Sequence, residues 1–167
     1  LQIVSGRHEL LDDFAAMVEM TEERKHVSLR NKEYFKKLLD NYGDDAIIML
    51  AVCDPAKIRQ ECQARYDALE EQIAALPENQ KKKRFTLEEQ KESAAKDIRI
   101  IEELIETVGD DKARPIAGVL SVKYGKSAEM LYAGMDERFR RFMPQYKTYV
   151  ENFQWAFDKG CTEFSMG

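Results

Sequence analysis

Residues 55–112, PAKIRQECQARYDALEEQIAALPENQKKKRFTLEEQKESAAKDIRIIEELIETVGDDK, decide how the rest of this 167-residue chain is organised. Ile58, Cys62, Tyr66, Leu69, Ile73 and Leu76 recur at steps of three and four. Leu87, Ala94, Ile98, Ile101, Ile105 and Val108 step by sevens, threes and fours. Each series is one apolar stripe on a helix whose other positions are Glu, Lys, Gln and Arg, the pattern of a coiled-coil seam. A stripe that narrow buries two helices against each other rather than in a globular core. Pro77 stops the first helix at Leu76, because proline disfavours a helical residue before it and has no N–H. Thr86 with Glu89 forms a capping-box pattern that starts the second helix at Leu87, and Gly109 and Pro115 close it. Two helices of a little over twenty residues predict an arm reaching roughly 30 Å from its base. Lys81-Lys82-Lys83-Arg84 then falls in the connection, a basic tip on an acidic arm.

The flanks read differently. Ala46 to Cys53 is an unbroken apolar run, the mark of a buried strand. Pro115 to Lys123 and Ala128 to Ala133 are strands joined at Tyr124-Gly125-Lys126-Ser127, with Gly125 supplying the turn. Leu1 to Val4 opens in a strand, and Cys161 to Met166 closes in one. His8 to Met20 is an amphipathic helix, Thr21 to Arg30 a polar loop with a helical turn, and Asn31 to Tyr42 a second helix ended by Gly43. Asp136 to Arg141 is an arginine-rich loop or short helix. Pro144 starts the last helix, with Tyr146, Val150, Phe153, Trp155, Ala156 and Phe157 giving a broad aromatic face read as packing. With the arm set aside, the order is strand, helix, helix, strand, strand, strand, helix, strand. This is an α/β (α+β) layer with a mostly antiparallel sheet, the order of an acyl-CoA N-acetyltransferase-like fold. The predicted organisation is therefore 1–54 and 113–167 as one such subdomain, opening and closing inside strands like part of a longer protein. Residues 55–112 are an inserted antiparallel coiled-coil hairpin.

Composition bounds the function. Hydrophobic residues at 44% and charged residues at 34% describe a globular chain. The net charge of -5 argues against a general nucleic-acid binder, while leaving room for a local basic patch such as the tip. Three cysteines without metal-site spacing point to reduced thiols and a cytosolic setting. Cys53, Cys62 and Cys161 read as small buried residues. No apolar run approaches a membrane span, and no signal peptide is visible.

No Ser/His/Asp, Cys/His or paired-carboxylate motif is present, so the residues themselves nominate no catalytic group, no metal ligand and no cofactor. His8 and His26 read as surface histidines. Arg30 and Tyr34 lie four apart. On one helix face they read either as an anion or phosphate grip at the helix start, or as a solvated arginine beside a half-buried tyrosine. Tyr132 stands two residues before Gly134. It reads either as a ligand contact where the glycine permits close approach, or as a tyrosine at the sheet rim. Lys81, Lys82, Lys83 and Arg84 read either as a contact to the phosphates of a nucleic acid or as a solvated loop.

These residues also carry a family resemblance. Thr21-Glu22-Glu23-Arg24-Lys25, Arg30, Tyr34-Phe35, Leu38, Tyr42-Gly43-Asp44-Asp45-Ala46 and Met49-Leu50-Ala51 resemble the Fem family of peptidoglycan cross-bridge enzymes. So do Leu131-Tyr132-Ala133-Gly134-Met135-Asp136, Phe139-Arg140, Phe142-Met143-Pro144, Tyr146, and the run from Gly160-Cys161 to Ser165-Met166-Gly167. The match runs from about His8 to the end, and the arm looks like that of staphylococcal-type members. The resemblance implies non-ribosomal peptidyltransferases with two acetyltransferase-like subdomains. They move Gly, Ala or Ser from aminoacyl-tRNA to the stem-peptide lysine of a lipid-linked or nucleotide-linked cell-wall precursor, in the cytoplasm at the inner membrane face. It implies that Arg30, Tyr34 and Tyr132 grip the precursor. It places the family's oxyanion-stabilising Phe-Lys pair beyond Gly167, so the expectation is that this stretch alone is inactive.

Two further readings compete. One is a non-catalytic coiled-coil interaction module on an acetyltransferase-like base, self-associating through the arm. The other, an acetyl-CoA-dependent acetyltransferase, is disfavoured, because no Gly-rich pyrophosphate loop lies between a strand and a helix.

Overall fold

The computed structural model describes residues 1–167, which fall into two compact units, 1–53 with 114–167, and 54–113. The first is a five-stranded sheet covered on both faces. Its strands are β1 (Gln2–Gly6), β2 (Ala46–Cys53), β3 (Arg114–Tyr124), β4 (Ser127–Met135) and β5 (Glu163–Ser165), in spatial order β1-β2-β3-β4-β5. The first four pair antiparallel; β5 lies parallel to β4 over three positions. β2 and β3 are buried almost throughout, as central strands with both faces covered must be. The closing strand is shorter than the expected run from Cys161 to Met166.

Helices α1 (Leu11–Lys25) and α2 (Lys32–Tyr42) cover one face. Phe14, Val18, Phe35 and Leu39 meet Ile48, Leu50, Leu120 and Val122 there. Phe14 and Phe35 pack edge to face at 5.1 Å. Helix α5 (Pro144–Asp158) covers the other, where Tyr149 and Trp155 pack with Met49, Val119 and Met130. The aromatic side of α5 does not pack as expected: Tyr146, Val150, Phe153 and Phe157 are exposed. A helix on a sheet buries one face, and here Thr148, Asn152 and Ala156 occupy it.

Of the polar stretch Thr21 to Arg30, expected as a loop with a helical turn, the first half is the end of α1, which runs to Lys25, and the loop begins only at His26. Thr21 points inward, donating its hydroxyl to the Met17 carbonyl at 3.1 Å and accepting the Met135 N–H at 3.1 Å. Arg24 and Lys25 suit the negative end of the helix, and His26 closes it at φ 53°. Apolar spacing vanishes over this last turn because one buried threonine, not a hydrophobe, ties it to the sheet.

In β4, Leu120 pairs with Tyr132 and Ser121 with Met130, which leaves Leu131 as an extra residue. Met130 and Ala133 pack on the α5 face, whereas Leu131 and Tyr132 both pack on the α1–α2 face. A regular strand alternates faces, so without this bulge Tyr132 would share the face of Met130.

The second unit is a pair of helices, α3 (Pro55–Ala74) and α4 (Lys81–Val108). Arg65 pairs with Asp97 at 3.0 Å and Lys91 with Glu70 at 2.7 Å, a register that only antiparallel helices produce. Leu69, Leu87 and Ala94 are buried between them, with Tyr66, Ile73 and Leu76 alongside. Helix α4 starts at Lys81, six residues before the expected start at Leu87. The capping box does not form: Thr86 donates its hydroxyl back to the Lys82 carbonyl at 3.2 Å, as a residue inside a helix does. Lysines are good helix formers, and extending an existing helix adds a hydrogen bond per residue.

Candidate functional site

The candidate site is where the loop between α1 and α2 meets Tyr132 on the α1–α2 face of β4. Glu22 organises that loop. Its carbonyl accepts the Val27 N–H at 3.3 Å, and its carboxylate accepts the Leu29 N–H. Asn31 caps α2, its side chain accepting the Tyr34 N–H at 3.0 Å. Arg30 therefore precedes the helix instead of sharing a helical face with Tyr34. The capping turn joins them all the same, with the Arg30 guanidinium carbon 5.1 Å from the centre of the Tyr34 ring.

Tyr132 arrives from the sheet. Its ring is 6.0 Å from Tyr34 and 5.0 Å from Phe35, both edge to face. Phe35 is wholly buried and ties this aromatic cluster to the core through Phe14. Burial, and then the hydrogen bond to Tyr34, hold the Tyr132 phenol above its ordinary value, while Arg30 pulls it back. Tyr132 is consequently a neutral phenol at physiological pH, able to donate a hydrogen bond to an anion.

Arg30 stands between two clefts. One, of 460 Å³, is lined by Glu22, Ser28, Leu29, Asn31, Tyr34 and Lys37 among others. The other, of 370 Å³, lies against Asp12, Glu19, Lys32 and Phe35. The first offers two cations, Arg30 and Lys37, and a half-exposed phenol, facing the carboxylates of Glu22 and Glu33. That donor set suits a phosphorylated ligand with polar groups attached. Sequence spacing did not single out Lys37 or Glu22, because their convergence depends on the loop. The structure brings Arg30, Tyr34 and Tyr132 together. Gly134 acts otherwise than expected: a Cβ there would lie 2.4 Å from the Met17 carbonyl, so α1 and not a ligand makes the close approach.

Lys81, Lys82 and Lys83 are exposed in the first turn of α4, not in a loop, and belong to the second unit. Arg84 donates to the Leu76 carbonyl at 3.1 Å and so ties the first turn of α4 to the chain just after α3. A cleft of 780 Å³ on the helix pair, lined by Asp54, Lys57, Gln60 and Glu102 among others, contains none of the candidate residues. No three His, Cys, Asp or Glu side chains are grouped to hold a metal ion. No helix is long and apolar enough to cross a membrane. His8 sits at the surface against Asp40 at 2.7 Å, and Cys53 is buried, while Cys62 and Cys161 are only partly so.

This is a mixed α+β protein, a five-stranded sheet between helices, with an aromatic and cationic cluster at one loop. The FemAB family model matches residues 1–167, and the chain belongs to that family. It is 25% identical over 168 residues to the lipid II:glycine glycyltransferase of Staphylococcus saprophyticus subsp. saprophyticus, an alignment covering 97% of this chain and 40% of that protein. It shares its fold with the crystal structure of FemX at a TM-score of 0.63 and 23% identity, covering 97% of this chain and 43% of that one. The chain thus spans less than half the length of either relative.

Proposed function

We propose that this chain is part of an aminoacyltransferase that extends the interpeptide bridge of peptidoglycan, and that Arg30, Tyr34 and Tyr132 bind the cell-wall precursor. The observation that carries the reading is the bulge at Leu131, which turns Tyr132 onto the same face as Arg30 and Tyr34. The name of the staphylococcal relative supports a lipid II acceptor. In this reading Arg30 forks onto a phosphate, Lys37 adds a second positive charge, and the two phenols donate to phosphate or sugar oxygens.

The reaction is aminolysis of the ester between an amino acid and tRNA. The precursor's lysine amine attacks the ester carbonyl, the C–O bond to the ribose breaks, and an amide forms. A free lysine ammonium has a pKa of about 10.4, so the amine must lose a proton before attack. The residues of this stretch bind and orient; positioning of two large substrates supplies much of the rate. The layering, the bulge and the short parallel pairing of β4 with β5 support an acetyltransferase-like subdomain, and residues 54–113 are an arm inserted between β2 and β3. Because the chain covers 40% of the glycyltransferase, we take it to be inactive alone.

The test is transfer by a longer protein containing this stretch, given lipid II and tRNA charged with glycine, alanine or serine. Transfer with one of them, lost on Arg30→Ala or Tyr132→Phe, supports the reading and names the amino acid. Full activity of both variants removes these residues from the site.

A further inference from the structure

The proposed precursor site leaves the end of the helix pair without a role, yet its chemistry is distinctive. Lys81, Lys82 and Lys83 are exposed on the first turn of α4 and enter none of the ion pairs that link the two helices. Phe85 follows them with 61% of its surface open to solvent. Glu78 is the one acidic residue from Gln72 to Leu87, against four basic ones. The remainder of the unit is the reverse. Residues 54–71 and 88–113 carry fourteen acidic and seven basic side chains. The Gln80 side chain makes no capping bond, so the first N–H groups of α4 also face outward.

Three features choose the partner. A polyanion lying along the helices would meet the acidic shafts, whereas a surface touched end-on meets only the basic tip. The single guanidinium at the tip, the group best shaped to fork one phosphate, is occupied by the Leu76 carbonyl. What remains is three flexible ammonium groups, which suit phosphates at no fixed spacing, beside an aromatic ring with no polar atom. Lysines that lie in the headgroups while an apolar ring enters the acyl boundary are the make-up of an interfacial anchor.

We propose that the tip formed by Lys81, Lys82, Lys83 and Phe85 docks end-on to the surface of an anionic phospholipid bilayer. This does not rest on the precursor site. Each basic group near such a surface strengthens binding about fivefold, so the three lysines together account for about a hundredfold.

The experiment is flotation of the 167-residue chain with vesicles of phosphatidylcholine, alone or with about 30% phosphatidylglycerol, an anionic fraction in the range that attracts basic clusters. The chain is expected to float with the anionic vesicles only, and to be released as salt screens the contact. K81E/K82E/K83E abolishes flotation, and Phe85→Ser weakens it several-fold. Phe85→Trp gains fluorescence that shifts to the blue on anionic vesicles. All four positions are exposed, so circular dichroism of every variant matches the parent. Absence of flotation, or flotation untouched by the charge reversal, overturns the proposal. So does salt-sensitive binding of tRNA that the charge reversal removes while vesicles leave the emission of the Phe85→Trp variant unchanged.

Discussion

The Arg30 guanidinium stacks on the Tyr34 ring at 5.1 Å even though Arg30 lies two residues before α2 begins. An ammonium can also sit over a tyrosine ring, as Lys91 does over Tyr66 at 4.9 Å, but it is compact and cannot fork a phosphate. Arg30→Lys is therefore not conservative here. It is expected to weaken binding of a soluble, pyrophosphate-bearing precursor about tenfold, with Arg30→Ala weakening it further. Titration calorimetry on the folded variants measures both.

Tyr132 gives a pH prediction with a definite sign. Its phenol is raised, first by burial and then by Tyr34, and Arg30 opposes the shift. A raised acid prefers its neutral form in the fold. Its contribution to stability is present below the ordinary tyrosine value and is lost as pH climbs through the raised one. Removing Arg30 must raise the phenol further. NMR titration with ring-labelled tyrosine should place Tyr132 above the ordinary tyrosine value, and higher again in Arg30→Ala. A lower value in that variant contradicts the arrangement.

Gly134 and Gly125 separate crowding from backbone strain. At Gly134 an added methyl meets the Met17 and Val18 backbone at 2.4 to 2.5 Å, which no rotamer change relieves. Gly134→Ala should cost about 3 kcal/mol and loosen α1 from β4. At Gly125, φ is +59° with nothing within 4 Å, so Gly125→Ala should cost about 1 kcal/mol. Urea unfolding midpoints rank the two.

In the helix pair, burial outweighs charge. Leu87 is buried against Leu69, whereas Lys91 and Glu70 form a surface pair. Leu87→Ala should cost about 2–4 kcal/mol, and Glu70→Ala less than about 1 kcal/mol. Thermal melts with and without salt check both, and added salt should lower the parent's midpoint more than that of Glu70→Ala, which keeps the Arg65–Asp97 pair.

Apolar spacing and punctuation in the sequence determined most of the fold. The short, bounded apolar run Ala46 to Cys53 favours a buried strand, the stripes from Ile58 to Val108 bury two helices on each other, and Pro77, Gly125 and Pro144 mark turns or helix starts. The motifs around Arg30, Tyr34 and Tyr132 were enough to recognise the family. Tertiary structure decided what depends on registration between distant segments. The extra residue at Leu131 leaves no mark in a strand pattern, yet it alone selects the face Tyr132 occupies. The inward turn of Thr21 exists only because the Met135 N–H waits for it across the α1–β4 interface, so its polarity imitated a loop. Gly134 makes room for a helix rather than a ligand, a distinction that lies in Met17, more than a hundred residues away. Thr86 and Glu89 spell a helix start, but the helix runs through them, because local capping is weaker than propagation of a helix already packed on its partner.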